Sequence, residues 1–266
     1  MDLQLTDKYA LVSGSNRGTG ETIAQALSNE GAKVAVHSNE EGASEAVCEA
    51  INKAGGDAIA VWGDLTIDSG AQQVIEQTLS KFPQLDILVN NYGTATAGTW
   101  QKSSSEDWVE IYQKNVLSAT RLIQGFLDSL KANGWGRIVN LGTIGSHQPN
   151  SIMPHYYAAK GAMATMSVSL TKAMAGTGIT VNTVSPGLIH TPELEAGYRH
   201  PAAKKSWGED WQDILGHLVE KDFPNPCGRI ASREEVADAV VFLCSPRADF
   251  INGQNLRVDG GAVSYV

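Results

Sequence analysis

The sequence predicts one α/β domain built on a doubly wound parallel sheet, with helices on both faces. Three observations predict it. Short apolar runs alternate with segments of helical periodicity along the chain. A glycine-rich turn lies between the first such run and the first helix. The 266 residues, 42% apolar and 18% charged, suit one large domain, or at most two small ones.

Residues 8–13 form the first run, short and apolar enough for a buried strand. Gly14, Asn16, Arg17, Gly18, Thr19 and Gly20 lie in the next turn, and residues 21–30 have helical periodicity ending at Gly31. Strand, glycine turn and helix N-terminus together suit a phosphate. The glycines let backbone approach a pyrophosphate, and the helix offers free N–H groups and a positive dipole end. The spacing is G-x-x-x-G-x-G, not the commoner G-x-G-x-x-G.

Residues 33–37 predict a second strand, leading into Ser38 and Asn39. A site that prefers NAD places an acid here, on the ribose hydroxyls. The first acids, Glu40 and Glu41, fall past that point and read as solvated. Arg17 either meets a 2′-phosphate or is a solvated loop charge. Both features favour NADP(H), with NAD(H) as the alternative.

Residues 42–54 predict a helix, 57–62 a third strand and 69–81 a helix. Between the last two, Asp64 suits an adenine amino group or the cap of the next helix, with Leu65 beside it. Residues 86–89 predict a fourth strand opening into Asn90, Asn91, Tyr92 and Gly93. That turn supports a cofactor or core, or is an ordinary strand end. A long helical stretch over 105–132 contains Asn115, an unfavourable amide in mid-helix. Such an amide is exposed or satisfied locally; a functional one would sit where the helix kinks.

Residues 136–141 predict a fifth strand, opening into a loop with Thr143 and Ser146. A tightly packed helix over 158–175 is headed by Tyr156-Tyr157-Ala158-Ala159-Lys160. Positions i and i+4 share a face, so Tyr156 and Lys160 stand side by side. The ammonium is expected to hold the phenol below its reference pKa of about 10, where it can give and take protons. The plainer reading is a packed Tyr and a snorkelling Lys. Residues 179–184 predict a sixth strand, with Pro186, Gly187, Leu188, Ile189, His190 and Thr191 after it. Gly14, Asp64, Asn90, Thr143 and Pro186 all come just after strand ends, so they converge on the carboxyl edge, where ligands bind in such sheets.

A net charge of −9 argues against nucleic acid and anionic membrane as partners, and no apolar run reaches membrane-spanning length. Cys48, Cys227 and Cys244 fit no metal pattern and read as reduced. With no basic or apolar leader, a cytoplasmic location is expected. His147 and His155 read as loop and cap residues; no metal is expected.

In order and spacing, the Gly14/Gly18/Gly20 turn, Asp64, Asn90-Asn91-x-Gly93, Asn115, Tyr156-x-x-x-Lys160 and Pro186-Gly187 resemble the classical short-chain dehydrogenases/reductases. So does the ending, from Gly228-Arg229 to Val258-Asp259-Gly260-Gly261. The resemblance covers nearly the whole chain. It implies one Rossmann-type domain over 1–266, a sheet of about seven strands with the seventh near 255–258, and a substrate lid at about 188–226. A nicotinamide cofactor, a small ketone or alcohol substrate, and a homotetramer or homodimer are implied with it. By the same resemblance Tyr156 is the general acid/base, and Lys160 lowers its pKa and holds the nicotinamide ribose. Asn115 anchors a relay water, and Ile189 and Thr191 hold the carboxamide. Hydride attack on a ketone makes an alkoxide-like oxygen, which needs a proton donor and a polarising hydroxyl.

Three positions depart from the family's pattern. Thr143 stands for the polarising serine, with Ser146 too close to Tyr156 in sequence to replace it; Tyr92 stands for an alanine; Thr19 replaces an apolar residue. Tyr92 either narrows the site, stacks on substrate or fills core. In the lid, Trp211, Leu215 and Leu218 have helical spacing, which means packing or an apolar pocket. The expected activity is NADP(H)-dependent interconversion of a fairly apolar ketone and its secondary alcohol. The alternatives are a 3-oxoacyl-(acyl carrier protein) reductase and a non-catalytic NADP-binding sensor or scaffold.

Overall fold

The structure is a computed structural model and describes residues 2–265. Seven parallel strands form one sheet: β1 (Tyr9–Val12), β2 (Lys33–Ser38), β3 (Asp57–Trp62), β4 (Ile87–Asn90), β5 (Gly136–Leu141), β6 (Ile179–Pro186) and β7 (Asn255–Val258). Their order is β3-β2-β1-β4-β5-β6-β7. Parallel neighbours need a crossover, and helices supply the cover: α1 (Gly18–Asn29), α2 (Glu45–Lys53), α3 (Asp68–Lys81), α4 (Ser105–Tyr112), α5 (Ser118–Ala132), α6 (Pro154–Ala173), α7 (Pro192–Lys204), α8 (Trp211–His217) and α9 (Arg233–Leu243). Chain direction across the sheet reverses between β1 and β4, which opens a crevice at their carboxyl ends.

Alternation along each strand feeds two cores. Ala10, Val12, Ile87 and Val89 face α1, α2 and α9, whereas Leu11 and Leu88 face α3 and α5. With both faces covered, β4 and β5 are buried along their whole length, so their polar members are buried too and find partners inside, as Asn90 Nδ2 does on Asn140 Oδ1. Residues 192–222 stand apart from both cores. Their Trp207, Ile214 and Leu218 bury against Ile230 in a third, smaller cluster. Among the described residues no helix is long and apolar enough to cross a membrane.

Element ends depart from the sequence expectations for local reasons. α1 begins at Gly18, because the glycine turn is its N-terminus. α6 begins at Pro154, where a proline without an N–H costs nothing in the first turn. The stretch over 105–132 is two helices joined by a π-turn at Gln113–Leu117. Its start is set by a capping box, in which Asp107 N–H donates to Ser104 Oγ and Ser104 N–H donates back to Asp107 Oδ2.

One buried imidazole ties three strand ends together. Gly14 N–H donates to His37 Nδ1 at 2.9 Å, and His37 Nε2 lies 3.0 Å from the Gly63 carbonyl. The bond from Gly14 needs a bare Nδ1, so the proton sits on Nε2 and the ring is neutral. Burial pushes the His37 pKa down to about 4 from 6.5, against smaller raising contributions from the Gly63 carbonyl and Asp64.

Stability is expected to respond at two places. Truncating Phe126→Ala in the fully buried α5 core is expected to cost about 3–5 kcal/mol, measured by urea unfolding. His37 stays neutral in the folded chain while the unfolded chain protonates below about 6.5, so its contribution is complete above that pH and drains away as pH falls towards 4. The loss is on the order of 3 kcal/mol. Unfolding curves from pH 7.5 to 4 are expected to show this excess slope in the wild type and not in His37→Asn.

Candidate active site

The site begins with a turn that needs glycine for its backbone conformation at two positions and for lack of space at a third. Gly14 and Gly18 adopt φ of 61° and 62°, in the left-handed region. A Cβ on Gly20 would lie 2.3 Å from Gly14 O and 2.4 Å from Asn91 Nδ2. Asn91 Nδ2 donates to both Ser13 O and Gly14 O at 2.9 Å. The amide after β4 therefore shapes the turn after β1, leaving the N–H groups of α1 directed outwards. Arg17 flanks that N-terminus; it is exposed and outside the ion pairs found among the described residues. Asn16 and Thr19 are half-buried in the same turn.

Around the end of β2, the expected adenosine contacts divide. Ser38 is buried and its hydroxyl donates to Glu40 O at 2.5 Å, so the side chain serves its own turn. Asn39 is exposed, and its Nδ2 donates to Tyr92 Oη at 2.9 Å. Asp64 does not cap α3. Its Oδ1 accepts from Thr66 N–H at 2.9 Å and Thr66 Oγ1 at 2.7 Å, while Ile67 occupies the cap position. Leu65 is fully buried in the core, and its carbonyl accepts from Arg121 Nη1 at 3.2 Å.

The π-turn places Asn115 inside the protein. Its Nδ2 donates to Thr94 O at 2.9 Å and Ile111 O at 3.0 Å, and its Oδ1 is buried without a protein partner. A Cβ on Gly93 would come within 2.4 Å of that Oδ1 and 3.3 Å of Lys160 Nζ. The missing side chain of Gly93 thus leaves an amide oxygen and an amine bordering one small space. Lys160 is buried, and its Nζ donates to Leu141 O at 2.7 Å. Such a carbonyl favours the charged amine, but burial outweighs it and pulls the pKa down to about 8.

The Thr143 side chain stands close enough to the Tyr156 hydroxyl to lower its pKa. Thr143 Oγ1 also accepts from Gly145 N–H at 3.2 Å. Ser146 is turned away, its hydroxyl donating to Thr143 O at 2.7 Å. Tyr157 packs on Gly145, where a Cβ would lie 2.0 Å from its ring, so only Tyr156 reaches the loop's hydroxyl. The expected depression of the Tyr156 pKa is not found in the ligand-free chain. Burial, helped by neighbouring Tyr157, pushes it up to about 12 against the hydrogen bond from Thr143. Lys160 Nζ lies 5.9 Å from the Tyr156 ring centroid and spends a proton on Leu141 O, so it does not offset the lost water.

Beyond β6, Pro186 is buried at the strand end and Gly187 N–H donates to Val258 O at 2.9 Å. A side chain on Gly187 would strike Phe223, 2.8 Å from the built Cβ. Ile189 pairs with Ala231 in a short parallel bridge, and Thr191 Oγ1 accepts from Leu194 N–H at 3.1 Å where α7 begins. A cavity of about 450 Å³ lies towards the β7 edge, lined by Leu188, Phe223, Arg229, Leu256 and Asp259. Neither Thr143 nor Tyr156 borders it.

Sequence reasoning missed three contributors. His37 reads there only as a strand end, although an imidazole closing an apolar run is itself a signal of a buried polar contact. Asn255 and Tyr265 lie far from the catalytic loop in sequence. Asn255 Nδ2 sits 2.9 Å from His147 Nε2, and Tyr265 Oη donates to His147 O at 2.6 Å, bracing the loop that carries Thr143.

The family described as enoyl-(acyl carrier protein) reductase matches residues 14–263. The chain is 34% identical to the 3-oxoacyl-[acyl-carrier-protein] reductase FabG of Haemophilus influenzae, over 96% of this chain and 97% of that one. Among solved structures it is similar to L-sorbose reductase from Gluconobacter frateurii complexed with NADPH and L-sorbose, with a TM-score of 0.94, 31% identity and full coverage of both chains. It is also similar to a 3-oxoacyl (acyl-carrier-protein) reductase from Agrobacterium tumefaciens C58 with NADP bound, with a TM-score of 0.87, 30% identity and coverage of 98% and 96%. On its fold, its motifs and these matches, the chain belongs to the classical short-chain dehydrogenase/reductase family and is an oxidoreductase acting on CH–OH and C=O groups.

Proposed function

We propose that the protein is an NADP(H)-dependent carbonyl reductase that interconverts a ketone and a secondary alcohol. The approach of the Thr143 side chain to Tyr156 carries this reading, with Lys160 Nζ 5.9 Å from the Tyr156 ring and sharing one small space with Asn115 Oδ1. The side-chain-free cradle of Gly14, Gly18 and Gly20 fits a dinucleotide pyrophosphate. Arg17 and Asn39 lie at the adenosine end, with Asp64 and Leu65 beside it. Asn91 and Gly93 support the middle, and Pro186, Gly187, Ile189 and Thr191 border the nicotinamide end. NADP bound to the two solved relatives supports the same cofactor here. When bound, the nicotinamide supplies or accepts the hydride.

The chain's own residues handle the oxygen. Thr143 Oγ1 donates to the carbonyl oxygen as negative charge grows on it. Tyr156 Oη delivers the proton that completes the alcohol. With its pKa pushed up to about 12, the phenol carries its proton throughout the neutral range and so has one to give. Lys160, held on Leu141 O, and Asn115, held in the π-turn, form the polar path by which that proton is replaced.

The lid, 188–226 in this reading, shifts the substrate class. Trp211, Leu215 and Leu218 were expected either to pack or to line an apolar pocket, and they belong to the lid's own cluster. The support for an apolar ketone goes with them. Likeness to an enzyme whose bound ligand is L-sorbose favours a small polyhydroxy ketone. Likeness to the carrier-protein reductase keeps a 3-oxoacyl substrate as the second reading. Val109 and Leu117 on the α4–α5 stretch, Val168 on α6, and Phe250 and Leu256 near β7 are exposed apolar residues that suit contacts between copies in a homotetramer or homodimer.

Tyr156→Phe is expected to lower kcat at least 10²-fold while NADPH fluorescence titration shows unchanged cofactor affinity. Equal turnover in wild type and variant would remove the acid role. The protonated phenol also sets the pH profile: alcohol oxidation is expected to climb with pH across the alkaline range, and ketone reduction to hold through neutral pH. Light scattering on a size-exclusion column is expected to show two or four chains; a monomer would exclude the oligomer.

A further inference from the structure

At the position where the family's pattern has a small residue, Tyr92 spans the mouth of the glycine turn. Its backbone is anchored first: Tyr92 N–H donates to Ser13 Oγ at 3.0 Å. Its side chain then runs back across β1 towards β2. A Cβ on Gly14 would sit 3.3 Å from Tyr92 Cβ and 3.4 Å from Tyr92 Cδ2, so the ring lies flush on the turn. It stands edge-on to His37, with centroids 6.3 Å apart and planes at 89°. Its hydroxyl ends on Asn39, the last polar group at the tip of β2.

Three facts give this arrangement a ligand. The end of β2 is where dinucleotide folds select between a free ribose hydroxyl and a 2′-phosphate. No carboxylate of β2's own end takes that place: Glu40 and Glu41 are exposed beyond it and Ser38 donates to Glu40 O, while the Asp64 carboxylate that faces Tyr92 from the end of β3 is turned onto Thr66 and is opposed by Lys114. Finally, Tyr92 Oη accepts its bond from Asn39, so its own proton is free to be donated outwards. A neutral O–H donor, an amide and the Arg17 charge suit a phosphate better than a bare hydroxyl.

Resting on the dinucleotide-cleft reading above, we infer that Tyr92, together with Asn39, recognises the adenosine half of the cofactor and sets the preference for its 2′-phosphorylated form. The ring provides an apolar face beside the glycine turn. The hydroxyl aims Asn39 and offers a donor of its own. Burial also pushes the Tyr92 pKa up, which keeps the hydroxyl protonated at neutral pH.

The test uses the two adenosine fragments, 2′,5′-ADP and 5′-ADP, by calorimetric titration of wild type, Tyr92→Phe and Tyr92→Ala, with NADPH fluorescence as a second readout. Wild type is expected to bind 2′,5′-ADP more tightly. Tyr92→Phe keeps the ring and the fold; its 2′,5′-ADP to 5′-ADP affinity ratio is expected to fall about fivefold. Tyr92→Ala is expected to weaken both fragments, by roughly tenfold, with an unchanged circular dichroism spectrum. A ratio unaltered in Tyr92→Phe, or fragments bound more tightly by Tyr92→Ala, overturns the inference. Wild type binding neither fragment nor NADPH overturns the cleft reading beneath it, and the inference with it.

Discussion

Everything at the carboxyl edge depends on how closely β1 and β4 bring their ends together. The two strands are neighbours because the sheet reverses direction of growth between them. That adjacency lets Asn91 reach the carbonyls of Ser13 and Gly14 with one amide group. The turn then folds so tightly that Gly14 O and Asn91 Nδ2 both occupy the space a side chain on Gly20 would need. The glycines are thus a consequence of two strand ends sharing hydrogen bonds. The open N-terminus of α1 arises from the same contact, and it gives an otherwise acidic protein a place for phosphate.

The second half of the site is made by departing from regular helix. A π-turn adds one residue to a helical turn and so rotates the next stretch of helix about its axis. Here it turns Asn115 inwards and leaves its Oδ1 buried without a protein partner. An unmet buried acceptor costs about 1–3 kcal/mol, and a regular helix over 105–132 would avoid that cost by exposing the amide. The cost is local and the return is geometric. Asn115 Oδ1 and Lys160 Nζ both border the space left by Gly93, behind the hydroxyl pair. Stability is spent where chemistry needs polar groups in an apolar surround, as strained functional sites commonly show.

Much of this was legible in the sequence, and the limits of legibility are physical. Strands buried on both faces show as short, mostly apolar runs, so β1 to β6 could be located with ends shifted by a residue or two. The convergence of Gly14, Asp64, Asn90, Thr143 and Pro186 came from parallel topology alone. Contacts between distant segments left no such trace. Nothing local to Asn39 announces Tyr92, and nothing near His147 announces Asn255 or Tyr265. The ambiguity over Trp211, Leu215 and Leu218 was real as well, because helical spacing marks an apolar face without saying what covers it. The lid covers that face with its own residues and with Ile230.

The sign of the Tyr156 shift is the sharpest case. Spacing shows that a lysine lies one turn from a tyrosine, and proximity of a cation argues for an acidic phenol. Burial depends on everything else that packs around the pair, which spacing does not contain. In the folded chain Lys160 is buried and Tyr156 partly so, and each moves towards its neutral form: the phenol up to about 12, the amine down to about 8. The lowered amine still has Leu141 O to favour its charge, so Lys160 can respond to any anionic group that enters the cleft. At about 8 the amine is still mostly ammonium at neutral pH; a negative charge beside it raises its pKa and holds that charge into the alkaline range, where it favours an ionised Tyr156. Spacing therefore names the partner of the tyrosine, and burial decides how far that partner can lower its pKa.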